Sequence, residues 1–187
     1  MKKKFVILTG YFKGESYGLL GPQMAATIIT ENSGYEAIVV GVTNDDDKID
    51  LEKALQTYFN DSPMVIGFSS LGGRPDLFDF AADMKKKGAI TILAGPQAGP
   101  DFKGETGWQG HDHRFKGLSD NFSFALQGPA QQILPILETG IDKDVSRFSG
   151  VVLKDANSGF IENPPIPWDD AFLCSVDWQN IFLLDGP

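Results

Sequence analysis

Cysteine is almost missing from this 187-residue chain. The single one, Cys174, excludes an intramolecular disulfide and leaves no Cys-rich metal or iron–sulfur site within the chain. Histidine is nearly as scarce, with only His111 and His113. Positive charge is also in short supply. Lys and Arg total 16 against 25 Asp and Glu, for a net charge of -9. Such an acidic surface repels phosphate backbones, which argues against nucleic acid as a partner. No apolar run approaches the roughly 20 residues needed to cross a bilayer, which argues against a membrane partner. The apolar stretch in the opening MKKKFVILTG is too short for a signal peptide and reads as a first strand. The cytoplasm is then the expected location.

What is present is alternation. Five short apolar runs recur: Phe5 to Leu8, Ala37 to Val42, Met64 to Phe68, Ala89 to Ala94 and Phe122 to Leu126. The first four are nearly continuous, as strands buried on both faces of a parallel sheet read. The fifth carries Ser123 inside it and reads as nearer an edge. Helical patterns lie between them. Pro22 opens the first, which carries Ala25, Ala26, Ile28 and Ile29 and stops at Gly34. Asp50 is the expected N-cap of the second, with Leu51, Ala54, Leu55, Tyr58 and Phe59 on one face. Pro75 and Asp76 begin the third, Lys85 to Lys87 suit its C-terminal dipole, and Gly88 ends it. Pro129 opens a last helix that closes at Gly140. The alternation predicts a Rossmann-like, flavodoxin-like α/β fold: a doubly wound, five-stranded parallel sheet. One long connection, Gly95 to Asn121, lacks clean periodicity, and connections of that kind are often functional.

After Gly140 the pattern changes. Gly150 to Asn163 reads as a C-terminal hairpin, VVLK and FIEN around a DANSG turn. An extended linker follows, with Pro164, Pro165, Pro167 and Trp168, and then a tail with Trp178, Phe182 and Leu184. A tail of this kind is expected to dock somewhere, which suggests a natural protein that continues beyond Pro187.

Ligands of open α/β sheets bind beyond the carboxyl ends of the strands. Those ends are small, polar or prolyl here: GYFKGESYGLLG, SSLGGRP, AGPQAGP and QGPAQQ. Any one glycine there is as well explained by a tight turn. Four such ends on one edge point to a small-molecule rim centred on Ser69 to Gly73. Several familiar motifs are absent. The first strand is not followed by G-x-G-x-x-G or by a phosphate-binding G-x-x-x-x-G-K-[ST]. Ser69 stands where a phospho-receiver has aspartate, and Gly67 to Leu71 fails the nucleophile elbow at its last position.

The ordered set GFSSLGGRPDLF, ILAGPQA, HRFKGL, LQGPAQQ and PPIPWDD resembles the N-terminal cobalamin-binding domain of cobalamin-dependent radical S-adenosylmethionine (radical SAM) enzymes. The resemblance covers nearly the whole chain. It implies a corrin over the strand ends and a nucleotide tail in a cleft beside the sheet. Methyltransferases and mutases that bind cobalamin carry Asp-x-His-x-x-Gly, Ser-x-Leu and Gly-Gly. Ser69-Ser70-Leu71 matches the second motif, and Ala94-Gly95 stands in for the third. The first departs: Glu15 takes the aspartate's place and Tyr17 the histidine's, with Ser16 and Gly18 beside them. A neutral phenol, with an ordinary pKa of about 10, is a poor cobalt ligand, so the implied state is base-off without histidine. Tyr17 reads equally as a loop aromatic packed under the rim. The resemblance further implies that Ser69 and Ser70 hydrogen-bond the tail or its phosphate, with Leu71 and Gly72 beside them in the cofactor site, that Gly95, Pro96 and Gln97 pack beside the tail, and that Gly128 and Pro129 wall the other side.

Residues 1–143 would then be the cofactor domain, and 144–187 a hairpin and linker toward a C-terminal radical SAM domain. S-adenosylmethionine and a 4Fe-4S cluster would belong to that further domain, because this chain lacks Cys-x-x-x-Cys-x-x-Cys. Methyl transfer is the typical outcome for the whole enzyme, and the chain alone would bind its cofactor without performing catalysis. Two alternatives stay open: a flavodoxin-like nucleotide- or flavin-binding module, and a non-catalytic α/β interaction domain. Other residues read as ordinary. His111 and His113 lack a third ligand, Asp45 to Asp47 suit a solvated turn, and Cys174 has no evident base partner. No metal site is expected. Trp168, Trp178 and Phe182 either cover a neighbouring domain or pack on this one.

Overall fold

The computed structural model describes residues 2–11, 19–69, 74–98, 121–155, 159–172 and 175–184. The five apolar runs become β1 (Lys3–Gly10), β2 (Tyr35–Val42), β3 (Val65–Ser69), β4 (Ile90–Leu93) and β5 (Phe124–Leu126). They pair in parallel in the order β5-β4-β3-β1-β2. This is the doubly wound flavodoxin-like order, whose topological switch lies between β1 and β3.

Among the described residues the sheet has eight strands, however, rather than five. The hairpin strands β6 (Val151–Asp155) and β7 (Gly159–Glu162) continue it antiparallel beyond β5, with Leu126 opposite Val151 and Ala125 opposite Val152. The FSFAL run is therefore interior rather than near an edge. Its Ser123 Oγ accepts from the Thr91 N–H at 3.2 Å, which explains a serine there. At the other edge β8 (Ile181–Leu183) lies parallel to β2. Adding strands on both sides pairs backbone groups that five strands alone would leave open at the edges.

Four α-helices are described. α1 (Leu20–Asn32) begins two residues before Pro22, which is buried in its first turn. α2 (Lys48–Phe59) is capped by Asp47, whose side chain accepts from the Ile49 N–H at 2.7 Å. Asp50, the expected cap, lies instead in the first turn and pairs with Lys53 at 2.9 Å. The burial of Leu51, Leu55 and Phe59 at four-residue spacing fixes that register. The acidic run is thus more than a solvated turn, since Asp46 also accepts from the Thr43 N–H at 2.6 Å. α3 (Pro75–Lys86) starts at its proline and buries Leu77, Phe80, Ala81 and Met84. The expected last helix is a 3-10 turn, Ala130–Ile133, running into a short α4, Leu134–Thr139.

Strand alternation sends these helices to two faces. Val6, Leu8, Ile66, Phe68 and Leu93 pack with the apolar sides of α2 and α3. Phe5, Ile7, Val65, Ile92, Phe124 and Leu126 pack with α1 and α4. Arg74 ties α3 to the end of β2. It is buried, donates to Val42 O at 2.8 Å and Thr43 O at 3.1 Å, and pairs with Asp76 at 2.8 Å. The Arg74 guanidinium, with Lys48 in support, holds the Asp76 carboxyl below its ordinary range against a smaller opposing effect of burial.

Candidate functional site: a cleft at the carboxyl ends of the parallel strands

A cavity of about 530 Å³ opens on the α1/α4 face, over the carboxyl halves of the central strands. That volume falls within the roughly 300–1,000 Å³ of small-molecule sites. Its floor comes from four strands: Phe5 and Ile7 of β1, Gly67 and Ser69 of β3, Ile92, Ala94 and Gly95 at β4, and Leu126 and Gly128 at β5. The N-terminal half of α1 makes one wall with Gly21, Pro22, Met24 and Ala25. Pro129, Ala130 and Ile133 make the opposite wall, and Trp168 completes the lining.

The hollow follows from alternation within the strands. Along β3, Ile66 and Phe68 point to the filled face, while Gly67 and Ser69 point to the cleft. At the end of β4, Leu93 points to the filled face and Ala94 to the cleft. Small residues at alternate positions near the strand ends leave space on one side only. Two glycines at the site are also fixed by backbone conformation. Gly95 has φ +72°, and a Cβ there would come within 2.9 Å of Ser69 Oγ. Gly128 has φ +83°, and a Cβ there would come within 2.7 Å of Pro165 Cβ. An L side chain at either position meets both strain and a clash.

Chemically the cleft is apolar with one hydroxyl. No titratable side chain lines it among the described residues. Ser69 O accepts from Thr9 Oγ1 at 2.8 Å, which anchors the end of β3 to β1. Ser69 itself is partly exposed, and its Oγ lies beside Gly95. The set suits a flat, largely apolar ring with a polar atom at one end. Among the described residues no group of three or more His, Cys, Asp or Glu is placed to hold a metal ion.

Of the residues singled out from sequence, the structure brings together Ser69, Gly95, Gly128 and Pro129. Pro96 and Gln97 follow in a 3-10 turn, Gly95–Ala98, with their side chains outside the described set. Glu15, Ser16, Tyr17, Gly18, Ser70, Leu71 and Gly72 lie outside the described residues, as do His111, His113 and Cys174. Sequence reasoning missed the α1 wall, Phe5, Ile7 and Gly67. It also missed Gln131 and Gln132, both buried, which hold the linker. Gln131 Nε2 donates to Pro167 O at 3.2 Å, and Gln132 Oε1 accepts from the Ile166 N–H at 2.9 Å. Gln132 Nε2 also donates to Gln127 O. The signal was the doubled glutamine in LQGPAQQ, polar residues at otherwise buried helical positions. Trp168 belongs to the cleft and is 39% exposed, whereas Trp178 (65%) and Phe182 (54%) stay on the surface. The tail docks as β8: Val39 N–H donates to Asn180 O at 2.8 Å, and buried Asn180 Nδ2 donates to Gln23 O at 3.2 Å.

No family model matches the chain, and no curated protein matches it. Among solved structures, the chain resembles the cobalamin-dependent S-adenosylmethionine radical enzyme OxsB with aqua-cobalamin bound. The TM-score is 0.59 at 13% identity, over 88% of this chain and 22% of that one. The same enzyme with aqua-cobalamin and S-adenosylmethionine bound gives a TM-score of 0.61 at 13% identity over the same shares. The chain thus spans about a fifth of that enzyme's length and shares the fold of part of it.

Proposed function

We propose that this chain is a cobalamin-binding domain of a radical SAM enzyme. The observation that carries this reading is the cleft. It lies beside the β1/β3 switch, is apolar, has Ser69 at its floor, and is walled by α1 and the 130–133 turn. A nucleotide tail ending in a flat heteroaromatic base fits that chemistry, with Ser69 Oγ as hydrogen-bond donor to a ring nitrogen. Gly95 lets the base approach the β4 end, because no side chain stands between it and Ser69. Likeness to a protein solved with aqua-cobalamin agrees with this assignment. Bound cobalamin supplies a cobalt centre able to carry a methyl group. The chain's own part is to bind and orient that cofactor by its tail and edges.

With Glu15 and Tyr17 in place of the aspartate and histidine, the cofactor is held base-off without a protein imidazole. In the full enzyme, residues 144–187 lead toward a radical SAM domain that holds S-adenosylmethionine and a 4Fe-4S cluster, and the joint outcome is methyl transfer. The test is to mix the purified chain with hydroxocobalamin, remove unbound cofactor and record the visible spectrum. A retained base-off spectrum is expected. A His-ligated spectrum would overturn the base-off assignment, and retained flavin or nucleotide with no corrin would overturn the whole reading.

A further inference from the structure

Trp168 differs from the other exposed aromatics in how it is held. Gln131 and Gln132 grip the two residues before it, and each is no more than 3% exposed. The linker over residues 163–168, a strap along the 130–133 turn, begins from a second anchor, where Asn163 Nδ2 donates to Ser146 O at 2.6 Å and Phe148 O at 2.9 Å. Gripping Pro167 leaves Gln131 Oε1 buried without a partner among the described residues. The indole's one polar atom is committed to the strap itself, since Trp168 Nε1 donates to Asp170 Oδ1 at 3.1 Å. Its apolar surface is what remains for the cleft.

We propose that Trp168 is a specificity-determining residue of the cleft, completing with Phe5, Ile7, Met24 and Ile133 an apolar lining that selects the base of the nucleotide tail. This rests on the cobalamin reading above and refines it to a ligand class. A benzimidazole base offers flat apolar faces and one free ring nitrogen, which the single hydroxyl of Ser69 matches. An adenine base brings an exocyclic amine and further ring nitrogens that no lining side chain matches among the described residues. Burying such groups unpaired costs more than a hydrogen bond contributes. Gln131 and Gln132 are positioning residues that act through Trp168.

The test is equilibrium dialysis, read by visible absorbance, with three probes: cobalamin, a cobamide with adenine as its lower base, and tail-less cobinamide. The unaltered chain is expected to hold cobalamin about tenfold more tightly than the adenine form. Trp168→Ala is expected to lose about tenfold on cobalamin, a typical loss for removing one aromatic from a base. The same variant leaves cobinamide unchanged and narrows the base preference, while Trp168→Phe keeps most of it. Melting temperatures check folding, and Trp168→Phe carries the comparison if Trp168→Ala unfolds. Equal affinity of the unaltered chain for the two tailed forms overturns the assignment. Equal weakening of cobinamide and cobalamin in Trp168→Ala does so too. Failure of the unaltered chain to retain any of the probes instead overturns the cobalamin reading, and this inference falls with it.

Discussion

The two faces of the sheet are made from the same strands and end up differently. On one, Ile66, Phe68 and Leu93 meet α2 and α3 in a filled core, and Phe68 packs edge-on against Phe122 with ring centroids 5.4 Å apart. On the other, Gly67, Ser69 and Ala94 leave about 530 Å³ open under α1 and Trp168. Both faces bury large aliphatic residues nearer the amino ends of the strands. The difference is confined to the carboxyl ends, where a few small residues at alternate positions turn a core into a container. Both faces carry core, and only one of them is left hollow at the strand ends.

Substitutions on each face test this division of labour. The largest expected effect is on the filled side. Phe68→Ala removes a side chain that is 1% exposed and is expected to cost about 3–5 kcal/mol in urea denaturation. Any corrin still bound by the folded fraction should keep its affinity. If stability were unchanged, the filled face would not be carrying the fold. On the hollow side the signature should reverse. Ala94→Phe places a ring in the cleft and is expected to lower cobalamin affinity by about two orders of magnitude with little change in melting temperature. A drop in melting temperature without loss of binding would show that the space is core rather than site.

A smaller effect is expected in the turn that walls the cleft. Gln132→Ala strips partners from Gln127 O and the Ile166 N–H and is expected to cost about 1–3 kcal/mol, again by urea denaturation. The smallest concerns Asp76. Its folded carboxyl titrates below its ordinary value because of Arg74, so it lends stability that is complete above the usual carboxylate range. That contribution is lost as pH falls through the lowered folded value. Asp76→Asn should therefore be slightly less stable near neutrality, with the gap to the unaltered chain closing below about pH 4. A gap independent of pH would show that charge is not what joins Asp76 to Arg74.

The β1 to β5 framework is legible because strands covered on both faces read as unbroken apolar runs, and turn glycines punctuate them. Pairing is less legible than existence. VVLK and FIEN announce a hairpin, but nothing local says that Val152 will sit opposite Ala125. Only three residues of β8 pair, and Phe182 stays exposed, so the segment carries no periodic signal. The Asp50 cap misreads because DDDKID offers several good capping residues, and tertiary packing of Leu51 and Leu55 selects Asp47. At the site, Ser69, Gly95 and Gly128 stand out since small residues at strand ends are unusual in a core. Met24, Ala25 and Ile7 do not, because an apolar residue facing a cavity looks the same in sequence as one facing another side chain. Gln131 and Gln132 become informative only once their partners at 166 and 167 are known.

The lining of the cleft runs from Phe5 near one end of the sequence to Trp168 near the other. Contacts between such distant residues carry a high loop-closure cost and form slowly. The β1 to β5 framework can therefore assemble while the cleft still lacks a wall. That wall needs the hairpin of β6 and β7 and the contacts of residues 166 and 167 with Gln132 and Gln131. Chain truncated before residue 163 is expected to keep the parallel strands β1 to β5 and to lose β8 and the Trp168 side of the cleft. Cofactor retention is thus expected to report on the completed Trp168 side of the cleft, which a far-ultraviolet signal from β1 to β5 does not.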